Sequence, residues 1–255
     1  MHRRLAWMPA LLATLPFAAF ASSSVVHDRA EVRQLGTGRL LYRESHYLPG
    51  DSPGERWVLY LCPEGTPFAR KHVTASKQPM APNFRLEYGR DGYREGVQGS
   101  DVQRVVYAGN GAGDARALLL PIDGVIDAGF DEAIRRHWDA LQRGEAVSLR
   151  FLVPSRKQFF PVRVQRVDTG EGILPRTMAL RMRLATWFGF AVPDVQLVYR
   201  IEDRRLLVFS GTGNVRDARD RYPQVRIAFS PRPETASTDE LARMQREPLS
   251  GRCAF

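Results

Sequence analysis

A few residues in this chain have side chains able to do chemistry, and their spacing limits what each could do. Cys62, in LYLCPEGTP, and Cys253, in SGRCAF, are the only two cysteines. A nucleophilic thiol needs a nearby base or a C-x-x-C partner, and Cys62 has neither in its local sequence. An even pair in an oxidising compartment instead fits one structural disulfide, Cys62 to Cys253. His137 and Asp139, in RHWD, look like an acid–base dyad. On a helix, however, residues two apart point about 200° away from each other, so these two cannot meet. His137 then has three readings: a core histidine bonded to a backbone carbonyl, a polar contact inside an apolar cavity, or a general base.

Other motifs fail on spacing. His27, His46 and His72 are scattered, with no H-x₃-H or H-E-x-x-H pattern and no paired cysteines, so no metal site is expected. Gly109, Gly111 and Gly113 in YAGNGAGDARALLL miss the dinucleotide spacing, and RALLLP is too short for the helix such a loop opens. They read as a hairpin turn. No catalytic residue and no cofactor is assigned.

The element that positions His137 is FDEAIRRHWDALQRG, a helix expected over about 127–143. Asp127 is placed at its N-cap, Asp131 and Glu132 load the first turn, and Gly144 stops it. Phe130, Ile134, His137 and Leu141 fall within about 60° of one another, forming a dry stripe. Asp131–Arg135, Glu132–Arg136 and Asp139–Arg143 are acid-first i,i+4 pairs on the wet side.

Most of the remaining chain alternates with period two, the mark of strands with one dry face. AVSLRFLVP, FFPVRVQRV, MALRMRLA, VQLVYRI and PQVRIAF do so cleanly. RLLYRESHYL, ERWVLYLC, NFRLEYG, GYREGV and DVQRVVYA do so more loosely. Short turns between them favour antiparallel neighbours. The expected fold is mainly β (α+β): a curved antiparallel sheet or half-barrel of about ten strands, wrapped around one amphipathic helix.

The N-terminus sets the compartment. Arg3 and Arg4 precede a short apolar run that ends in Ala19-Phe20-Ala21, the layout of a signal peptide spanning 1–21. Pro9 and Pro16 interrupt the run, which is marginal for the ~20 residues of a spanning helix. Export to the periplasm is therefore expected, with no membrane span after cleavage. Residues 22–230 read as one β-rich domain and 231–255 as a peripheral tail with a short helical piece. The formal charge is +9, and of 37 basic residues only Lys71, Lys77 and Lys157 are lysines. An anionic envelope component is one partner such a charge would attract. Arginine-for-lysine bias across the whole chain is the favoured explanation, because the arginines are scattered rather than clustered. Export argues against nucleic acid.

The segments VIDAGFDEAIRRHWDAL, FLVPSRKQFFPVRV and RRLLVFSGTGNVRD resemble a group of exported proteobacterial β-rich proteins of unknown function. More distantly they are similar to the half-barrels of lipoprotein-carrier and lipid-binding envelope proteins. The resemblance implies architecture only, a curved sheet around a helix, and carries no site residues. The chain lacks the anchoring cysteine of the lipid-anchored half-barrels.

The leading expectation is a periplasmic, non-enzymatic carrier that holds an apolar, lipid-like ligand under the helix. Phe130, Ile134, His137 and Leu141 would form one wall, with Met182 and Trp187 on the other. The rival is an envelope interaction protein with a filled core and no small-molecule ligand. A hydrolase using His137 or Cys62 ranks third, because no nucleophile–base pair can be assembled.

Overall fold

The computed structural model describes residues 24–111, 114–168, 175–186, 193–253 and 255. The expected signal segment and Trp187 lie outside the described residues. The first meander comprises β1 (Val25–Gln34), β2 (Leu40–Pro49), β3 (Arg56–Leu61), β4 (Pro67–Thr74), β5 (Asn83–Tyr88), β6 (Arg94–Gln98), β7 (Gln103–Gly109) and β8 (Ala115–Leu119). After β9 (Gly124–Val125) come α1 (Gly129–Arg136) and α2 (Trp138–Gln142). The second meander is β10 (Val147–Val153), β11 (Gln158–Val167), β12 (Thr177–Leu184), β13 (Val195–Arg200), β14 (Leu206–Thr212) and β15 (Gln224–Phe229). β16 (Glu234–Ala236) and α3 (Thr238–Arg246) follow.

These strands form one sheet in the order β8 to β1, then β15 to β9, with β16 also on β1. β8 and β9 stand at opposite ends of that order, yet only residues 120–123 join them. So short a link spans at most about 18 Å, so the sheet must curl until its ends approach. The turn Pro154–Arg156, at the tip of the β10–β11 hairpin, packs against β6 and β7 and overlaps the two ends. The result is a curved, barrel-like sheet. All its pairs are antiparallel except β9 on β10.

The expected architecture is present, with sixteen strands among the described residues where alternation alone yields about ten. β1 and β4 were hidden because charged residues occupy inward positions. Asp28 faces inward with Ala30 and Val32, and Lys71 with Ala69 and Val73. A charge on the dry face erases the period-two signal.

One face of the sheet is continuous around the curl. Leu180, Leu197, Phe209, Ile227, Val32 and Tyr42 stand in direct register across six strands. α1 and α2 lie on this inner face. Ala133, Ile134, Trp138 and Leu141 pack with Val164, Leu180, Leu197 and Tyr199. The expected single helix is two, broken at His137, whose φ and ψ are −101° and 15°. Trp138, four residues after Ile134 and three before Leu141, shares their inward stripe and meets the Tyr199 ring edge-on at 6.0 Å between centroids.

The cap expectation is corrected. Ala128, not Asp127, precedes α1, and no side chain caps it. Asp127 has φ +44°, a left-handed conformation that aspartate tolerates, and its carboxylate meets Lys71 instead. Of the three helix pairs, only Asp131–Arg135 forms as written, at 2.6 Å. Glu132 also pairs with Arg135, Arg143 with Glu145, and Asp139 reaches Arg204. Each of the other two pairs lies on one side of the break, and these competing partners displace it.

α3 covers the outer face. Leu241 and Met244 bury against Val25, Tyr47 and Leu59, and the Ser237 hydroxyl caps the helix by accepting from the Glu240 N–H at 3.1 Å. The segment expected as a peripheral tail is stitched into the barrel. β16 pairs with β1, and Arg70 donates to the carbonyls of Gln245 and Glu247. Cys253 is bonded to Cys62, 5.3 Å away at Cα. The Phe255 ring stacks on Tyr42 and meets Phe68 edge-on.

Candidate functional site

The sequence-expected wall residues fall into two layers. Ile134 and Leu141 are fully buried in the closed layer beneath the helices. Phe130 is half-buried, edge-to-face with Phe151 at 6.0 Å. Met182 packs beside them, also half-buried. His137 is half-buried at the helix break, and its ring makes no hydrogen bond among the described residues.

Burial falls along the inner face toward one end of the second meander. On β12, Met178 and Leu180 are closed while Met182 and Leu184 are half-open. On β13, Tyr199 and Leu197 are closed and Val195 is half-open. On β10, Leu149 is closed and Phe151 half-open. An apolar rim results, formed by Phe130, Phe151, Met182, Leu184 and Val195.

The opposite wall is polar, and the sequence reading missed it. Glu44, His46, Lys71 and Glu95 are all less than 8 % exposed. His46, Val58, Lys71, Leu86 and Glu95 stand in one register row, and Glu44 lies in the neighbouring row beside Tyr60. His46 Nε2 is 2.8 Å from Glu44 Oε2, and Lys71 Nζ donates to Asp127 Oδ1 at 2.9 Å. The hydroxyls of Tyr93 and Tyr222 donate to Glu95 at 3.1 and 3.3 Å. Burial pushes the Glu95 carboxyl up to about 7, against those two hydrogen bonds and the nearby Lys71 charge. Tyr42 Oη and Asp127 Oδ2 are buried without a partner among the described residues. Asp127 is three residues before Phe130, so the start of α1 joins the polar wall to the apolar rim.

The missed signal was parity. Tyr42, Glu44 and His46 alternate in LLYRESHYLP, so two ionisable groups share the face of a buried tyrosine. Among the described residues, no group of three His, Cys, Asp or Glu converges as metal ligands.

One further constellation forms on the outer face. His27 Nε2 lies 2.6 Å from Ser45 Oγ, and His27 Nδ1 lies 3.9 Å from Glu240. The order nucleophile, base and carboxylate has the logic of acyl transfer. The setting does not support it. Ser45 sits mid-strand between paired neighbours Arg29 and Leu59, so the surrounding amides serve the ladder rather than an oxyanion. Both side chains are sealed under α3, and His27 stacks on Tyr47 at 4.3 Å. Burial lowers the imidazole below its usual range, which keeps it neutral. This row pins α3 to the sheet.

No protein-family model matches the chain, and no curated protein matches it. Among solved structures it is similar to a β-barrel-like protein of a domain of unknown function, DUF1849, from Brucella abortus. The TM-score is 0.52 at 8 % identity, over 84 % of this chain and 99 % of that one. At that identity the likeness is one of fold, and it places this chain among β-rich, barrel-like architectures.

Proposed function

We propose that this is an exported, non-enzymatic binding protein that holds an apolar, lipid-like ligand at the open end of the barrel, against the start of α1. The observation that carries the reading is the half-open rim of Phe130, Phe151, Met182, Leu184 and Val195 above a closed layer. Adaptable methionine and aromatic side chains on a concave wall, with ionisable groups nearby, are the makings of a small-molecule site. The ligand sits above Ile134 and Leu141 rather than between them and the sheet, because that space is filled by side chains. The arginine-led apolar N-terminus and the Cys62–Cys253 bond support a periplasmic location.

A second reading, an envelope interaction protein with a filled core, draws on the same closed layer. Native mass spectrometry of protein purified from the periplasm separates the two. The carrier reading expects a co-purifying adduct that a Met182→Lys, Leu184→Lys double variant loses while keeping its melting temperature. Protein that is free of adduct and fails to take up a fluorescent fatty acid would leave the interaction protein standing.

A further inference from the structure

Among the described residues β8 ends the strand order and pairs only with β7, from Gln103↔Leu119 to Tyr107↔Ala115. In a ladder, alternate N–H and C=O groups point away from the partner strand. The free side of β8 therefore offers a row of unmade hydrogen bonds about 17 Å long. Proteins usually blunt such an edge with lysine, proline or a bulge. The β8 sequence, ARALL, is short and carries a single charge, Arg116, with no proline and no register shift against β7.

The surface around this edge is apolar. Leu119 is 72 % exposed, Val102 54 %, Val105 43 %, and Ile122 is completely exposed. Four of the six exposed large hydrophobics among the described residues therefore gather at one edge, whereas isolated ones would need no explanation. The opposite face of the strand carries Arg116, exposed and without a charged partner among the described residues. The nearest acid along the strand, Asp114, is already engaged by Lys157.

We propose that β8 is a docking edge for an extended segment of a partner protein in which apolar residues alternate with acidic ones. The incoming backbone completes the ladder. Its apolar side chains lie with Ala117, Leu119 and Val105 on the outer face, and a carboxylate on its other face meets Arg116. A second copy of this chain is a poorer occupant. Antiparallel pairing centred on Ala117 sets the Arg116 of each copy diagonal to that of the other, with no acid to separate them. This surface is distinct from the rim and does not depend on the carrier reading.

The test uses the full, oxidised protein and three fluorescein-labelled nine-residue peptides. One alternates valine with glutamate, one alternates valine with lysine, and one is the acidic peptide with a central proline, which removes a ladder donor. Anisotropy should show the acidic peptide bound, with the other two at least about tenfold weaker. Arg116→Glu should invert the preference between acid and lysine. Leu119→Lys should weaken acidic-peptide binding while leaving the melting temperature in place, since the side chain is exposed. Equal binding of the acidic and lysine peptides, indifference to proline, or no binding of any peptide would overturn the proposal. A dimer by light scattering that Leu119→Lys dissolves would assign the edge to a second copy. Vesicle binding abolished by the same variant, without peptide binding, would assign it to a lipid surface.

Discussion

Breaking the Cys62–Cys253 bond should lower the melting temperature of the whole barrel, beyond merely freeing its last residues. The bond closes a loop of 191 residues. In the chain-entropy treatment, closing a loop that long removes about 18 cal/mol/K from the unfolded chain, or about 5 kcal/mol at 25 °C. For a domain of this size each kcal/mol is worth about 2–4 °C, so the expected fall is roughly 10–20 °C. The folded state should change little, because the Gly251 N–H still donates to the Pro67 carbonyl and Phe255 still stacks on Tyr42. The assay is thermal unfolding followed by circular dichroism, comparing oxidised protein, protein in reductant, and a Cys62→Ala, Cys253→Ala double variant. Reduced protein isolates the bond itself, while the double variant adds the packing lost at the fully buried Cys62. A fall under about 3 °C in reductant would refute the reasoning, because it would mean that the unfolded chain gains almost no freedom when the link opens.

Two further predictions concern the polar wall. Glu95 has a folded value of about 7, raised from an ordinary carboxyl near 4.5. Between those values the unfolded chain sheds a proton that the folded chain keeps, so the barrel loses stability as pH rises through that window, by roughly 3 kcal/mol in all. Glu95→Gln should therefore melt higher than wild type at pH 8 and equally at pH 4, and a pH-independent difference would refute this account. Lys71→Met should cost about 3–5 kcal/mol by stranding the Asp127 carboxylate, and adding Asp127→Asn should restore much of the loss. Chemical denaturation measures both, and strictly additive losses would show that the pair is not coupled.

Legibility in the sequence followed the physics of each element. β10 to β13 were readable because their inward positions are uniformly apolar, as in Val147, Leu149 and Phe151. β1 and β4 were not, because Asp28 and Lys71 sit where the pattern demands a hydrophobe. The helix was readable as a stripe, but its break was not. Ile134, Trp138 and Leu141 share one side of a continuous helix as well, so the apolar pattern carries no mark of the turn at His137. The disulfide followed from a bare count of two cysteines. The apolar rim was partly legible through Phe130 and Met182. The polar wall was less so: Glu44 and His46 alternate along one strand, but Lys71 and Glu95 join them only across strands.

The seam between β1 and β15 has a consequence for how the molecule comes into being. Ala30 pairs with Phe229, so β1 must wait for a partner roughly 200 residues downstream. Chains emerge at about 5–20 residues per second, which leaves that side of β1 open for some tens of seconds of synthesis. Either the nascent chain is kept unfolded until it is complete, or the first meander forms early and carries a raw flank that other chains could join. Variants that slow synthesis between Gly144 and Pro223 should aggregate more than equally stable variants slowed after Phe229.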